Sequence, residues 1–210
     1  MCGRYVVTNA VTKTKGLVKS AIQIEDNENY NAHPYQNLPV IKKYTNGSAL
    51  EKLKWGIVPS WSKKKDFKPL INSRLETIDE KISFKKLIKL KRCIAIADGF
   101  YEWKRTEQEK KPFFFQREDK KIIYFAGIYD ENEFCLITEQ ASENVLEIHH
   151  RQPVILNQKD LKSYLDLQLD GSAFLKEARK PRLEFYEVSK DVNKPSNNSI
   201  SLIQSLNKTF

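Results

Sequence analysis

Four separated stretches carry polar side chains for which a hydrophobic core has no use: MCGRY at the start, PLINSRLET at 69–77, ADGFYEWK at 97–104 and EIHHRQPVIL at 147–156. Together they offer a thiol, an amide, arginines, a carboxylate between aromatics and an imidazole, which is the inventory of an active site. Cys2 is the unusual member. It directly follows Met1, so removal of the methionine would expose a thiol and an amine on adjacent carbons, a reactive pair.

Glu102 lies between Tyr101 and Trp103, directly after a strongly apolar run. Facing inward it would lose solvation, and the raised pKa would suit general acid and base work; facing outward it is an ordinary strand carboxylate in water. Asn72 and Arg74 are two residues apart. In extended backbone they share one face, an amide beside a guanidinium fork able to grip phosphate; the plainer alternative is a polar surface loop. His149 and His150 are adjacent, and an extended segment would point them to opposite sides, one toward a site and one toward water. A histidine ahead of an apolar strand also serves in a purely structural role. Trp55 and Trp103 suit a core. Trp61 stands in the turn-like VPSWSKKK beside a lysine run, where an exposed ring could stack on an unpaired base.

Short strand-like runs must position these residues: 4–8, 38–44, 50–58, 92–104, 112–117, 122–129, 133–138, 153–156 and 183–188. Asn46-Gly47, between two of them, is a hairpin signal. Helical spacing falls near 11–23, 79–91, 142–147, 157–167 and 170–178, with Ser142 and Asn157 as N-caps. Runs of strands with interspersed helices and no βαβ rhythm predict an α+β fold: one domain over 1–210, with a mixed or antiparallel barrel-like sheet and several flanking helices. The polar, turn-rich segment 189–201 reads as a loop ordered by what it touches.

Thirty-six Lys and Arg against 27 Asp and Glu give a net charge of +9, which favours a polyanionic partner such as nucleic acid. The lysines of KISFKKLIKLKR at 81–92 equally fit a solvated helix face above a core stripe. The longest apolar runs fall far short of the roughly 20 residues that cross a bilayer. With no secretory signal at the start, the expectation is a cytoplasmic, monomeric protein without a membrane partner. Three widely spaced cysteines without a CxxC pair suggest neither a disulfide framework nor zinc, and Cys93 and Cys135 read as core. No metal or organic cofactor is called for.

MCGR, YNAHP at 30–34, WGIVPSW at 55–61, PLINSRLET, ADGFYEW and IHHRQPV occur in one order along the first 156 residues. In this combination the chain resembles the SOS-response-associated peptidase (SRAP) family of abasic-site processing proteins. The resemblance implies that Met1 is lost autocatalytically and that Cys2 then reacts covalently with the aldehyde of an abasic site in single-stranded DNA, with lyase-like activity a further possibility. An α-amine with a pKa of about 7.7–8.0 is substantially deprotonated at neutral pH and forms a Schiff base, which the thiol closes into a thiazolidine. By position in the motifs, Cys2 is the nucleophile, Asn72 holds its amine, Glu102 moves protons, and His149 protonates the opened sugar or helps to reverse the link. Arg4 and Arg74 would hold flanking phosphates, and Pro34 and Trp61 would contact the DNA, which the cell holds at its nucleoid. Two residues depart from the family pattern: His33 where alanine is usual, which could alter how the strand is wedged or stacked, and Gln152 where methionine or arginine is common.

Two other readings share part of this inventory. Glutamine amidotransferases of the N-terminal-nucleophile type also begin Met-Cys-Gly, but need glutamine-binding motifs that are not evident here. A nucleic-acid-binding module with lapsed chemistry would keep salt-sensitive binding and form no covalent product.

Overall fold

The computed structural model describes residues 2–62 and 66–207. Its strands are β1 (Tyr5–Thr8), β2 (Ser20–Ala21), β3 (Glu28–Ala32), β4 (Asn37–Tyr44), β5 (Gly47–Trp55), β6 (Asn72–Arg74) and β7 (Arg92–Ala97), then β8 (Gly99–Arg105), β9 (Lys110–Arg117), β10 (Ile123–Asp130), β11 (Glu133–Gln140), β12 (Arg151–Pro153), β13 (Ile155–Leu156) and β14 (Leu183–Glu187). The helices are short: α1 (Ala10–Thr14), α2 (Leu87–Leu90), α3 (Glu143–Leu146), α4 (Leu161–Tyr164) and α5 (Gly171–Glu177).

Two sheets face each other. The first is antiparallel, in the order β14-β9-β8-β1-β3. The second runs β12-β11-β10-β7-β4-β5-β2, with β6 and β13 attached to β11 and β10. A parallel pairing of β11 with β5 closes β4, β5, β11, β10 and β7 into a ring. The α+β class holds, and the expected barrel is this ring of strands within a larger mixed sheet.

Aromatic rings fill the space between the sheets. Tyr5 of the first packs on Trp55 and Phe125 of the second at 5.1 and 5.7 Å, and Phe100 meets Phe125 at 5.9 Å. Each fully buried ring of this kind contributes roughly 1.5–3 kcal/mol. The outer face of the first sheet has its own small core, where Val6, Tyr101 and Phe114 meet Val188, Val192 and Leu202 of the C-terminal segment.

The apolar run expected as one strand over 92–104 is two strands in different sheets. The break is at Asp98, whose carboxylate accepts both the Thr8 N–H and the Thr8 hydroxyl at 2.8 Å. Gly99 permits the crossing because a Cβ there would sit 2.2 Å from the Phe114 ring and 2.5 Å from the Phe115 carbonyl. The helix expected at 11–23 stops after Thr14, since the chain turns through Gly16 at φ +85° and then lays β2 beside β5. That expected over 79–91 reduces to α2, because the core takes Phe84, Leu87 and Ile88 while Ile82 and Leu90 stay exposed. That at 157–167 divides into a 3-10 turn and α4. The hairpin loop is Thr45-Asn46, with Tyr44 opposite Gly47, so the glycine is the first residue of the returning strand. β3 was not anticipated. Ser142 and Asn157 occupy N-cap positions without capping by their side chains, whereas Asp170 caps α5 by accepting from the Ser172 and Ala173 amides.

Gly99→Ala is expected to cost at least about 2 kcal/mol by overpacking against the Phe115 backbone. Urea unfolding measures this, and a loss below about 0.5 kcal/mol would show that the crossing does not depend on a bare backbone.

Candidate active site between the two sheets

Cys2 leads into β1 and is fully buried. Its carbonyl accepts a hydrogen bond from Asn72 Nδ2 at 2.9 Å, joining the start of the first sheet to β6 of the second. β6 is itself fixed from behind. The Trp55 indole donates to the Ile71 carbonyl at 2.9 Å, and Asn72 and Arg74 pair with Leu136 and Thr138 of β11. Ser73 points inward between them, so Asn72 and Arg74 share the outer face as the spacing predicts, the first half-buried and the second exposed. Asn72 Oδ1 is buried without a hydrogen-bond partner among the described residues.

Glu102 faces inward. β8 runs between β9 and β1, and strand alternation puts Glu102 on the side that Phe100 presents to the core, leaving it 3% exposed. Burial raises its pKa above the ordinary 4.5, only partly countered by a hydrogen bond from the Trp103 backbone. The Cys2 thiol is pushed up strongly, first by burial and then by the neighbouring Glu102 charge, so it stays protonated at neutral pH.

His149 and His150 do not diverge. They follow α3 in its last turn, with His149 N–H bonded to the Val145 carbonyl at 2.9 Å, and this non-extended backbone stacks the two rings at 4.5 Å and 25°. His149 Nδ1 accepts the Arg151 N–H at 3.0 Å, which places the proton of the neutral ring on Nε2. Burial is the first cause that lowers the His149 pKa, with Arg105 and Arg151 among the nearby positive charges that add to it. His150 is exposed, and its pKa is lowered chiefly by His149.

The remaining site residues separate from this cluster. Arg4 directs Nη1 to Asn31 Oδ1 at 2.6 Å and to the Val192 carbonyl at 2.7 Å, holding the C-terminal segment. Trp61 is 52% exposed and meets Phe67 edge-on at 6.0 Å; the lysines at 63–65 lie outside the described residues. Pro34 is half-buried, and Tyr35 after it is half exposed in the left-handed region at φ 76°. No group of three or more His, Cys, Asp or Glu able to hold a metal ion occurs among the described residues, and no helix there is long and apolar enough to cross a membrane.

Four supporting residues, Arg151, Glu76, Thr138 and Asn31, escaped the sequence reading. Arg151 forks onto Glu76 at 2.6 and 3.0 Å and also donates to the Thr138 carbonyl, while Thr138 Oγ1 donates to the Ser73 carbonyl. Burial alone would raise the Glu76 carboxyl, but the Arg151 fork more than offsets this and holds it below its usual value. Asn31 donates to the carbonyls of Val192, Lys194 and Asn197, which orders the 189–201 loop. Gln152 accepts from the Ser142 backbone and hydroxyl at 2.9 and 3.0 Å, so this departure from the family pattern ties down the start of α3. His33 donates from Nδ1 to the Pro34 carbonyl at 2.9 Å. The blocks YNAHP and IHHRQP drew notice to these segments, but nothing local distinguishes a clamp from a ligand.

Because Glu102 has a raised pKa in the folded state, it stabilises the fold fully below its unfolded value, and that contribution is lost as pH rises through the folded value. Glu102→Gln is therefore expected to flatten the fall in stability between acid and neutral pH. Denaturation midpoints across this range check it, and an unchanged slope would place the carboxylate in water.

A family model, SOS response associated peptidase (SRAP), matches residues 1–195. The chain is 34% identical to the abasic site processing protein YoqW of Bacillus subtilis, over 98% of this chain and all of that one. It is 30% identical to the abasic site processing protein YedK of Escherichia coli, over 97% and 99% of the two chains. A solved crystal structure of a protein from Bacteroides thetaiotaomicron superposes with a TM-score of 0.83 at 23% identity, covering 97% of this chain and 99% of that one, and so shares the fold. With the sequence blocks in order and this fold beneath them, the chain belongs to the SOS response associated peptidase family.

Proposed function

We propose that this protein processes abasic sites in single-stranded DNA by linking them covalently to Cys2 once Met1 has been removed by the same site. The observation that carries the reading is the grip on Cys2: its carbonyl is held by Asn72 while Glu102 lies near enough for its charge to act on the thiol. The names of the relatives, which are abasic site processing proteins, support it.

The amine, the aldehyde and the thiol enter the reaction in their neutral forms. The freed α-amine adds to the aldehyde carbon of the ring-opened sugar, water leaves to give an imine, and the Cys2 thiol adds across that C=N bond to close a thiazolidine. Glu102, with a raised pKa, takes a proton from the attacking amine and returns it to the departing hydroxyl. A thiol held protonated suits this order, because the amine reacts first and the thiol brings its own proton to the imine nitrogen. Asn72 Oδ1, a buried acceptor in need of a donor, fits the new amine. His149 donates a hydrogen bond from Nε2–H to the sugar oxygen, and in its imidazolium form it protonates that oxygen on opening or assists reversal. Arg74 and the exposed Trp61 take a flanking phosphate and a base.

Intact-mass measurement of the purified protein, before and after incubation with a single-stranded oligonucleotide carrying one abasic site, tests the reading. The expected result is loss of Met1 and a 1:1 adduct that Cys2→Ala abolishes; retention of the adduct by that variant would falsify the assignment of the nucleophile. His149→Ala is expected to lengthen the life of the adduct at least about tenfold, within the usual reach of general acid–base catalysis. Release at the wild-type rate would remove His149 from reversal.

A further inference from the structure

The end of β1 remote from Cys2 carries a feature that the covalent site does not use. Thr8 ends that strand six residues after Cys2, roughly 20 Å away at about 3.3 Å per residue. There Lys13 donates to Thr8 Oγ1 at 2.6 Å. Lys13 also lines a cleft of about 590 Å³ with Lys15, Arg117, Lys120 and Lys121. A second cleft, of about 450 Å³, shares Arg117 and Asn157 with the first and adds Lys159, Arg179 and Arg182. The two clefts adjoin, so these cations form one basic surface.

Pairing decides which charges can serve a partner. Lys13 is matched by Asp98, Lys120 by Glu184, and Arg117 by a bidentate contact to Asp119 at 2.7 and 2.6 Å. Lys15, Lys159, Arg179 and Arg182 are exposed and make no ion pair or side-chain hydrogen bond among the described residues. The backbone that presents the last two is nevertheless fixed. Asn157 Nδ2 donates to the Arg179 carbonyl at 2.7 Å, and the Glu118 N–H donates to the Arg182 carbonyl at 3.2 Å. Unpaired cations on a fixed, concave surface, in a chain of net charge +9, suit a row of phosphates.

We propose that this surface binds the phosphate backbone of a DNA segment remote from the lesion, giving the protein a second hold on the strand or duplex that flanks the abasic site. The inference rests on the covalent reading above, and it assigns no chemistry to the surface. Phosphate contacts of this kind position without reading sequence.

The test compares the wild type with a combined Lys15→Gln, Lys159→Gln, Arg179→Gln and Arg182→Gln variant on two abasic oligonucleotides, one of about five nucleotides and one of about 40, long enough to pass the roughly 20 Å between the sites. The variant is expected to keep the wild-type Tm and to crosslink the short oligonucleotide at the wild-type rate. On the long one it should bind about tenfold more weakly at low salt, with a salt-dependence slope shallower by about two to three. Wild-type affinity and slope on the long oligonucleotide would overturn the proposal, as would an equal loss on both lengths. Competition by a polyglutamate peptide as strong as that by undamaged DNA would assign the surface to an acidic protein instead, and also overturn it. Failure of the wild type to crosslink either oligonucleotide would count against the covalent reading alone, since the comparison of affinities on the long one still decides this proposal.

Discussion

The site depends on one crossing. A single apolar run leaves the ring of the second sheet at Ala97 and enters the first sheet at Gly99, and only a residue without a side chain clears Phe114 and the Phe115 backbone at that point. Had the run continued straight, Glu102 would have extended the wrong sheet. Because it crosses, the carboxylate lands beside β1 and faces the core under Cys2. The Asn72–Cys2 hydrogen bond then closes the gap from the other side, and Arg151, through Glu76 and Thr138, keeps β6 where that bond can form.

Burial sets the electrostatic character of the site. Cys2 and Glu102 are both removed from water, which raises both pKa values, while burial and nearby positive charge lower that of His149. Such a site is poorly suited to a thiolate attack and well suited to condensation chemistry, in which amine, imine and thiol exchange protons over short distances. The cationic character of the molecule lies outside this pocket, on its surface.

Much of the site was legible from residue types alone, because Cys2, Asn72 and Glu102 are polar residues inside apolar or strand-like context, where an unneeded polar group is costly. Their mutual placement was not. Nothing in the run 92–104 reveals that it serves two sheets, since periodicity reports a strand's faces and not its partners. The histidine pair failed for a similar reason: the stack arises from the helical turn that ends α3, whereas the local pattern suggested extension toward the following strand. Helices were overextended wherever lysine-rich spacing met a core too thin to use every apolar position, as at Ile82 and Leu90. Nor does the motif announce that Arg4, beside Cys2, directs Nη1 to Asn31 and the Val192 carbonyl.

That last contact links residues 188 positions apart. During synthesis the N-terminal end of the chain emerges first, yet the Val192 carbonyl, the Asn31 clamp and the Val188–Leu202 packing behind β8 become available only when the C-terminal segment has left the ribosome. The geometry around Cys2 is thus completed last although its sequence is made first. Until that segment is made, a nascent chain carries Cys2 and Arg4 without the contacts that the C-terminal residues add behind them.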